Sequence, residues 1–176
     1  SRPFDSANPQ LDLRLPDGSR LSAVMEVCSR PSISVRRARL DRVGLDDLVR
    51  LGSLTPRLAA FCSAAVRARK NIMIAGATNA GKTTFLRALA NEIPPEERLI
   101  TVERALELGL GEFADLHPNV VAFEERLPNS EGSGAISMAD LVRRSLRMNP
   151  SRVIVGEVLG DEIVTMLNAM SQGNDG

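Results

Sequence analysis

The start of the chain alternates polar and apolar side chains with a period of two. Residues 11–15 (LDLRL) and 20–27 (RLSAVMEV) show this alternation, and the turn residues Pro16 to Ser19 stand between them. Because successive side chains of a strand point to opposite faces, the pattern predicts a β-hairpin. A third run at 33–40 (ISVRRARL) predicts another strand, one face of which is strongly cationic. Together the three strands indicate a small β-rich unit.

After Gly44 the apolar residues take the spacing of helices. A short helix is predicted at 45–51, and a longer one begins at Thr55 as N-cap, with Pro56 in its first turn. Farther along, helical patterns alternate with short runs that are apolar throughout. The predicted strands are 71–75, 99–102, 120–123 and 153–155, and the predicted helices are 83–91, 137–149 and 161–172. Wholly apolar strands that alternate with helices are typical of a parallel sheet covered on both faces, so we predict an α/β fold.

The composition predicts a globular protein of about one domain. Of 176 residues, 43% are hydrophobic and 25% are charged, which excludes a disordered or low-complexity chain. No apolar run approaches the roughly 18 residues that a membrane-spanning helix needs, so we expect no direct membrane insertion. Two cysteines and one histidine are too few for a zinc site or a disulfide framework.

Basic residues concentrate in the first part of the chain. Residues 1–70 hold 13 Lys and Arg against 7 Asp and Glu, whereas residues 71–176 hold 9 against 15. Such asymmetry occurs in nucleic-acid-binding proteins, but these usually carry aromatic side chains for stacking. This chain has no Trp, no Tyr and 5 Phe. We therefore expect contacts with phosphates of another kind and no nucleic-acid partner.

One motif carries specific chemistry, because it matches the phosphate-binding pattern GxxxxGK[ST]. It lies between a predicted strand and a predicted helix, where backbone N–H groups and the helix N-terminus can surround phosphates. Lys82 is then expected to reach the β- and γ-phosphates and Thr83 to offer its hydroxyl to Mg²⁺, while Thr84 packs or contacts the α-phosphate. An ordinary glycine turn is the alternative. The motif residues are Gly76, Ala77, Thr78, Asn79, Ala80, Gly81, Lys82 and Thr83.

Such a phosphate-binding loop needs a carboxylate on a neighbouring strand, to hold the metal or to orient water. Two predicted strands end in acids. Glu103 follows the run at 99–102 and Glu107 comes four residues later, while Glu157 follows the run at 153–155 after Gly156. Because surface acids often follow buried strands, each pattern alone is weak, but both agree with the loop.

Three segments together resemble a known protein family. They are LTPRLAAFCSAAVRARKNIMIAGATNAGK at 54–82, ERLITVERALEL at 97–108 and LVRRSLRMNPSRVIVGEVLGDE at 141–162. They resemble the secretion ATPases of the type II/type IV secretion superfamily. The segment LPDGSRLSA at 15–23 adds similarity to the Tad/Flp pilus branch, the CpaF-like ATPases. The resemblance implies a RecA-like P-loop NTPase core preceded by part of a small α/β N-terminal domain.

The resemblance also implies a division of the chain. Residues 1–43 would be the last strands of the nucleotide-covering N-terminal domain, 44–54 a linker with a short helix, and 55–176 the ATPase domain. The family's histidine-containing segment and its C-terminal elements follow the position of Gly173, so we expect this chain to hold only part of that domain. His117 does not match that histidine and is predicted to be a surface residue.

The family's site residues carry over by position. Gly76 to Thr84 match Walker A, Glu103 and Glu107 fall in the Asp box, and Gly156 and Glu157 match Walker B. The resemblance implies that Thr83 and Glu157 hold Mg²⁺ and that Glu107 and Glu157 orient water. Its phosphate-contacting arginines match Arg20 and Arg36, with Arg37 as an alternative to Arg36. These arginines could instead solvate an exposed sheet.

The expected function is Mg²⁺-dependent ATP hydrolysis that powers pilus assembly or protein secretion. The resemblance implies a cytoplasmic ring, in this family a hexamer, that acts at the inner membrane with a platform protein. Two departures, Arg104 where the family has an acid and Leu159 where it has Arg, support an alternative. That alternative is a nucleotide-binding, weakly hydrolysing assembly or regulatory module. The shortage of aromatic residues disfavours a nucleic-acid motor.

Overall fold

A computed structural model describes residues 3–17, 19–37, 42–129, 132–160 and 162–171. The chain divides into two compact units, the first Ser1–Leu40 with Pro128–Ala135 and the second Asp41–Leu127 with Ile136–Gly176. Within the described ranges, none of the helices has both the length and the apolar character needed to cross a lipid bilayer. The boundaries proposed from the sequence, at 43 and 54, stay a prediction.

The first unit contains an antiparallel sheet of three strands in the order β1-β2-β3. These are β1 (Gln10–Arg14), β2 (Arg20–Val24) and β3 (Ser32–Arg36). The turn between β1 and β2 is held by Asp17, which accepts hydrogen bonds from the N–H and the hydroxyl of Ser19, both at 2.9 Å. The predicted hairpin is confirmed.

The third strand is shorter than the sequence predicts. Arg36 pairs with Arg20, the first residue of β2, so β2 provides no partner for residues beyond it. The prediction of a strand to residue 40 is therefore wrong at Arg37, which lies outside the strand, and residues 38–40 lie outside the described residues.

The second unit is a parallel sheet of three strands in the order β5-β4-β6, with helices on both faces. The predicted α/β class with a parallel sheet is confirmed. The strands are β4 (Leu99–Glu103), β5 (Val120–Glu124) and β6 (Arg152–Val155), and the helices are α1 (Leu45–Arg50), α2 (Pro56–Arg67), α3 (Lys82–Ala90), α4 (Met138–Ser145) and α5 (Glu162–Ser171). A short 3-10 turn lies at Leu110–Glu112.

Two of the helices begin where side-chain caps in the sequence predict. The hydroxyl of Thr55 accepts a hydrogen bond from the N–H of Leu58 at 3.2 Å, at the start of α2. Ser137 and Asp140 form a reciprocal capping box at the start of α4. These caps satisfy N–H groups that a helix end leaves without intrahelical partners. Helix α4 ends at Ser145, earlier than the predicted residue 149.

The sheet separates two hydrophobic clusters because alternate residues of β4 and β6 point to opposite faces. Leu99 and Ile154 pack with α2 and α3 on one face, in a cluster that includes Ala88 and Leu89. On the other face Val102 packs with α4, in a cluster joined by Val153 and Val155. Burial on both faces explains why most residues of these strands are apolar.

The predicted strand at 71–75 is not part of the sheet. Ile72 and Ile74 pack against the core, but the described residues contain no strand that pairs with this segment. Ile72, Val153 and Val155 instead line one apolar cavity of about 110 Å³. The prediction was wrong because a short apolar run specifies burial, whereas strand pairing also needs a neighbour at hydrogen-bonding distance.

His117 is buried, with 4% of its surface exposed, so its predicted surface position is also wrong. A turn in which its N–H donates to the carbonyl of Phe113 at 2.9 Å precedes Pro118. The ring nitrogen Nε2 lies 3.0 Å from Oδ1 of Asn91, at the end of α3, and Nδ1 is buried without a partner among the described residues.

A buried ion pair joins β6 to the segment that precedes β4. Arg152 is 3% exposed and donates from Nε and Nη2 to both carboxylate oxygens of Glu97, at 2.8 and 2.9 Å. Its Nη1 donates to the carbonyl of Val66 in α2 at 2.7 Å. The hydrogen bond from Arg152 lowers the pKa of Glu97 more strongly than burial raises it. The pair therefore fixes three elements of the second unit.

We expect Arg152→Ala to lower the free energy of unfolding by about 3 kcal/mol, because the buried Glu97 carboxylate loses two hydrogen bonds and keeps only the ion pair with the more exposed Arg69 at 3.4 Å. Urea denaturation followed by circular dichroism measures the change. Arg143→Ala is the matched control, because Arg143 is 60% exposed and pairs with exposed Asp140 on the surface of α4. Equal losses in the two variants would contradict the assignment.

Acid should weaken the fold through His117. Burial lowers the pKa of His117, an effect that Arg42 reinforces and Asp115 opposes. The unfolded chain then binds the proton first, so this contribution to stability is complete above pH about 6.5 and is lost as pH falls below it. We expect His117→Gln to flatten the dependence of the unfolding free energy between pH 7 and 5.5. An unchanged slope in that variant would refute the prediction.

Candidate nucleotide-binding site

The loop at 76–81 reverses the chain before α3. Asn79 and Gly81 both have left-handed backbones, with φ of +62° and +84°. Gly81 is the N-cap residue of α3, and no side chain restricts its positive φ. Asparagine is among the side chains that tolerate this region. The two positive φ angles bring the loop round onto the first turn of the helix.

Lys82 lies inside the curve of this loop. Its Nζ donates hydrogen bonds to the carbonyl oxygens of Gly76 and Ala77, at 2.9 and 2.7 Å. The ammonium therefore stands at the N-terminus of α3, where the first N–H groups have no intrahelical partners and the helix dipole is positive. Thr78 and Ala80 are exposed, and Thr83 and Thr84 are half-buried. This set of donors fits a phosphate group.

Arg87 connects α3 to the segment that follows β4. Its Nε donates to the carbonyl of Leu108 at 3.1 Å, and its Nη2 donates to the carbonyl of Glu107. Arg87 follows Lys82 by about 1.4 turns on the same helix. The helix that begins at the phosphate-binding motif therefore holds the backbone of a second candidate site residue.

Glu103 binds the N–H groups of the same segment. Its Oε2 accepts the N–H groups of Glu107 and Leu108, at 2.7 and 2.9 Å, and the hydroxyl of Thr101 donates to Oε1 at 3.2 Å. The residue is 3% exposed. Burial raises the pKa of Glu103, while the two backbone N–H groups act in the opposite direction. These contacts give Glu103 a positioning role toward Glu107, and its predicted catalytic role stays a prediction.

Gly156 of the predicted Walker B pair packs directly on Glu103. A Cβ atom at Gly156 would lie 2.9 Å from Cγ of Glu103, closer than side chains normally approach. The N–H of Gly156 also donates to the carbonyl of Val102 at 2.9 Å, which extends the pairing of β6 with β4. Glycine at 156 therefore allows the ends of two strands to meet over a buried carboxylate.

The residues that follow the ends of the three parallel strands form a charged row across the carboxyl edge of the sheet. Glu103 pairs with Glu124, and Val102 pairs with Val155, so Arg104 falls in line with Glu125 on one side and Glu157 on the other. Nη1 of Arg104 lies 3.7 Å from Oε2 of Glu125, and its Nε lies 3.9 Å from Oε1 of Glu157. The guanidinium thus stands between two carboxylates.

A third carboxylate completes the arrangement. Glu162 at the start of α5 accepts Nη2 of Arg104 at 3.1 Å and the N–H groups of Leu159 and Gly160 at 2.8 and 3.1 Å. The N–H of Leu159 is the largest influence that lowers the pKa of Glu162. The acids around Arg104 in turn raise its pKa, so it is always charged.

The chemistry of these groups is compatible with Mg²⁺ bound together with a nucleotide. Among the described residues, no group of three or more His, Cys, Asp or Glu side chains is arranged to hold a metal by itself. Mg²⁺ in nucleotide sites is typically held by one or two protein groups together with phosphate oxygens. Thr83 is half-buried and Glu157 is 42% exposed, and both have the oxygen donors that this cation prefers.

The predicted arginines belong to the first unit. Arg20 opens β2 and Arg36 closes β3, and the two residues are direct partners in the antiparallel register. Arg20 is half-buried, and Arg36 and Arg37 are exposed. The structure therefore brings Arg20 and Arg36 together within their own sheet, and their contact with a nucleotide stays a prediction.

The sequence patterns missed the residues that position the site. Arg87 and Glu162 bond to the segments around Glu107 and Glu157, and Glu125 pairs with Arg104 and accepts the N–H of Met138. None of the three was among the candidate residues. The sequence contains one signal for Glu125, which follows the predicted strand at 120–123 closely. The carboxyl ends of parallel strands meet at one sheet edge, so a residue there can reach the site. Nothing comparable marks Arg87, whose partners are backbone carbonyls.

With this geometry, the chain belongs to the type II/IV secretion system protein family, whose sequence profile matches residues 3–176. It is 37% identical to the putative conjugal transfer protein Rv3659c of Mycobacterium tuberculosis H37Rv, over 99% of this chain and 51% of that protein. It is 33% identical to the type IV secretion system protein VirB11 of Brucella suis, over 98% of this chain and 54% of that protein. The chain thus spans about half the length of these curated relatives.

Two solved structures share the fold. The VirB11 ATPase of the Brucella suis type IV secretion system, solved with sulphate, has a TM-score of 0.58 and 31% identity, over 99% of this chain and 56% of that chain. The Legionella pneumophila ATPase DotB has a TM-score of 0.61 over 94% of this chain and 44% of its own. At 22% identity DotB supports the fold alone.

We expect Glu103→Ala to destabilise the second unit by about 2–4 kcal/mol, because two buried N–H groups lose their acceptor and a cavity opens. Glu103→Gln retains a side-chain oxygen that can accept both N–H groups, so its loss should be much smaller. Chemical denaturation measures both variants. Equal losses would mean that the charge of Glu103, and not its acceptor oxygen, stabilises the loop.

Proposed function

We propose that this chain is the nucleotide-binding part of a secretion ATPase, which hydrolyses ATP in the presence of Mg²⁺. The observation that carries the proposal is Lys82, whose ammonium is held by the carbonyls of Gly76 and Ala77 at the N-terminus of α3. A fixed positive charge beside the N–H groups of a helix start binds phosphate. The membership of the chain in the type II/IV secretion family agrees with this use of the loop.

Each residue of the site then has a defined task. Backbone N–H groups of residues 77–83 and the ammonium of Lys82 bind the phosphates, and Thr83 and Glu157 hold Mg²⁺. When bound, Mg²⁺ neutralises charge on the phosphates and ATP supplies the phosphoryl group that water accepts. Glu107 and Glu157 orient that water. Glu103 and Arg87 keep the backbone of Glu107 in place, Glu103 at its N–H group and Arg87 at its carbonyl.

Arg20 and Arg36 supply further positive charge in this proposal. Paired on neighbouring strands, they provide two guanidinium groups, the side-chain type that binds phosphate oxygens most strongly. Cationic donors of this kind stabilise the charge on a transferring phosphoryl group. Arg37 is the alternative to Arg36.

The whole protein would act as a motor of a secretion or pilus system. We propose a hexameric ring in the cytoplasm, at the inner membrane, working with a platform protein to assemble a pilus or to secrete protein. Relatives named for conjugal transfer and type IV secretion support a secretion role. The hairpin segment LPDGSRLSA at 15–23 supports the Tad/Flp, CpaF-like branch.

A second candidate function is a module that binds nucleotide but hydrolyses it slowly. The observation that favours it is Arg104, which places a positive charge 3.9 Å from the Glu157 carboxylate. A guanidinium beside this carboxylate reduces the negative charge available for a metal or for water. Assembly or regulation would then depend on binding alone.

Calorimetry with Mg-ATP, followed by a phosphate-release assay, tests both candidates. We expect Lys82→Ala to weaken binding by roughly ten- to a hundredfold, because a charge-assisted contact with phosphate is lost. Turnover that depends on Lys82 supports the ATPase, whereas binding without turnover supports the second candidate.

The control is Lys70→Ala, since Lys70 is the other lysine of the chain and is exposed outside the motif. It should bind as the wild type does. Absence of any Lys82-dependent heat would overturn the proposed function.

A further inference from the structure

Arg104 stands in the centre of a row of acids at the carboxyl edge of the sheet. Its neighbours in the row are Glu125 and Glu157, and Glu162 reaches it from α5. An acid here would put three carboxylates in one row, whereas Arg104 places a positive charge between two of them.

Two of the three acids are held by backbone groups as well as by Arg104. Glu162 accepts the N–H groups of Leu159 and Gly160, and Glu125 accepts the N–H of Met138 at 3.4 Å. Their side chains are 8% and 17% exposed. Arg104 is therefore anchored on two sides by acids that are themselves fixed.

The third acid, Glu157, is placed differently. Its side chain is 42% exposed, and its carboxylate lies 3.9 Å from Nε of Arg104, within ion-pair range but beyond a hydrogen bond. Among the described residues, this Nε is buried and has no hydrogen-bond partner. A buried donor without an acceptor is unfavourable, and an approach of Glu157 by about 1 Å would satisfy it.

From this arrangement we infer that Arg104 is a positioning residue for Glu157. It holds the carboxylate at the sheet edge while nucleotide is absent, and it competes with Mg²⁺ for that carboxylate when nucleotide binds. The inference rests on the proposed function, because it takes Glu157 as a Mg²⁺ ligand. Arg104 thereby sets the concentration of Mg²⁺ that the site requires.

The test measures binding of a non-hydrolysable ATP analogue by calorimetry, with EDTA and across a Mg²⁺ titration. The variants are Arg104→Gln, Arg104→Lys and the control Arg143→Gln, an exposed arginine of α4. In Arg104→Gln we expect the analogue to bind in EDTA as it binds the wild type. The Mg²⁺ concentration that gives half of the full Mg²⁺ effect on binding should fall about two- to fivefold, because a partly exposed ion pair is lost. The half-effect Mg²⁺ concentration of Arg104→Lys should lie between those of the wild type and Arg104→Gln. That of the control should equal the wild-type value.

An unchanged half-effect Mg²⁺ concentration in Arg104→Gln would overturn the inference. Weaker analogue binding in EDTA would also overturn it, because Arg104 would then contact the phosphates directly. If the wild type binds no analogue in any condition, the proposed function fails and the competition with Mg²⁺ fails with it.

A measurement without nucleotide tests whether the side chains of Arg104 and Glu157 interact. Denaturation midpoints are compared for the wild type, Arg104→Gln, Glu157→Gln and the double variant. We expect Glu157→Gln to shift the denaturation midpoint when Arg104 is present. The same substitution should shift the midpoint much less in the Arg104→Gln background. Additive shifts would show that the two side chains are not coupled and would overturn the inference.

Discussion

The second unit depends on the pairing of β4 with strands on both of its edges. Because β5 and β6 run parallel to β4, their carboxyl ends meet at one edge, and successive residues there point alternately to the two faces. Glu103 consequently turns into the core beneath Gly156, while Arg104 lies in line with Glu125 and Glu157. Glu103 and Arg104 are adjacent in the chain, yet one is a buried carboxylate that positions a loop and the other is a guanidinium that compensates the acids at the sheet edge. A shift of the register would exchange these environments.

The candidate site is held together mainly by contacts to backbone groups. Lys82 bonds to two loop carbonyls, Arg87 bonds to two carbonyls after β4, and Glu103 accepts two N–H groups of the same segment. Charged side chains that bind backbone groups fix the position of a loop, and these contacts do not depend on which side chains the loop carries. A helix that starts at a phosphate-binding motif is in this way connected to the segment that carries Glu107, so a displacement of α3 would be transmitted to that segment.

Most elements could be predicted from local patterns, and the failures share a cause. The caps at Thr55 and Ser137 and the apolar runs at β4, β5 and β6 depend on residues that are close in the sequence. The segment 71–75 has the same apolar pattern, but no strand among the described residues pairs with it, and its Ile72 lines a cavity. His117 precedes a proline in an irregular segment, yet it is buried, and its ring contacts Asn91, which lies 26 positions away in the chain. Pairing and burial of short segments depend on partners that are distant in the chain.

The sequence by itself determined the phosphate-binding motif, the alternation of strands and helices, and the acids at two strand ends, because each is a local signal with a fixed spacing. The family resemblance followed from the same residues. Only the tertiary structure decided which acid is buried and which is exposed, and it placed Arg104 among Glu125, Glu157 and Glu162. These acids lie 21, 53 and 58 positions beyond Arg104 in the chain. Their charges interact because the parallel register and the start of α5 bring them to one edge of the sheet.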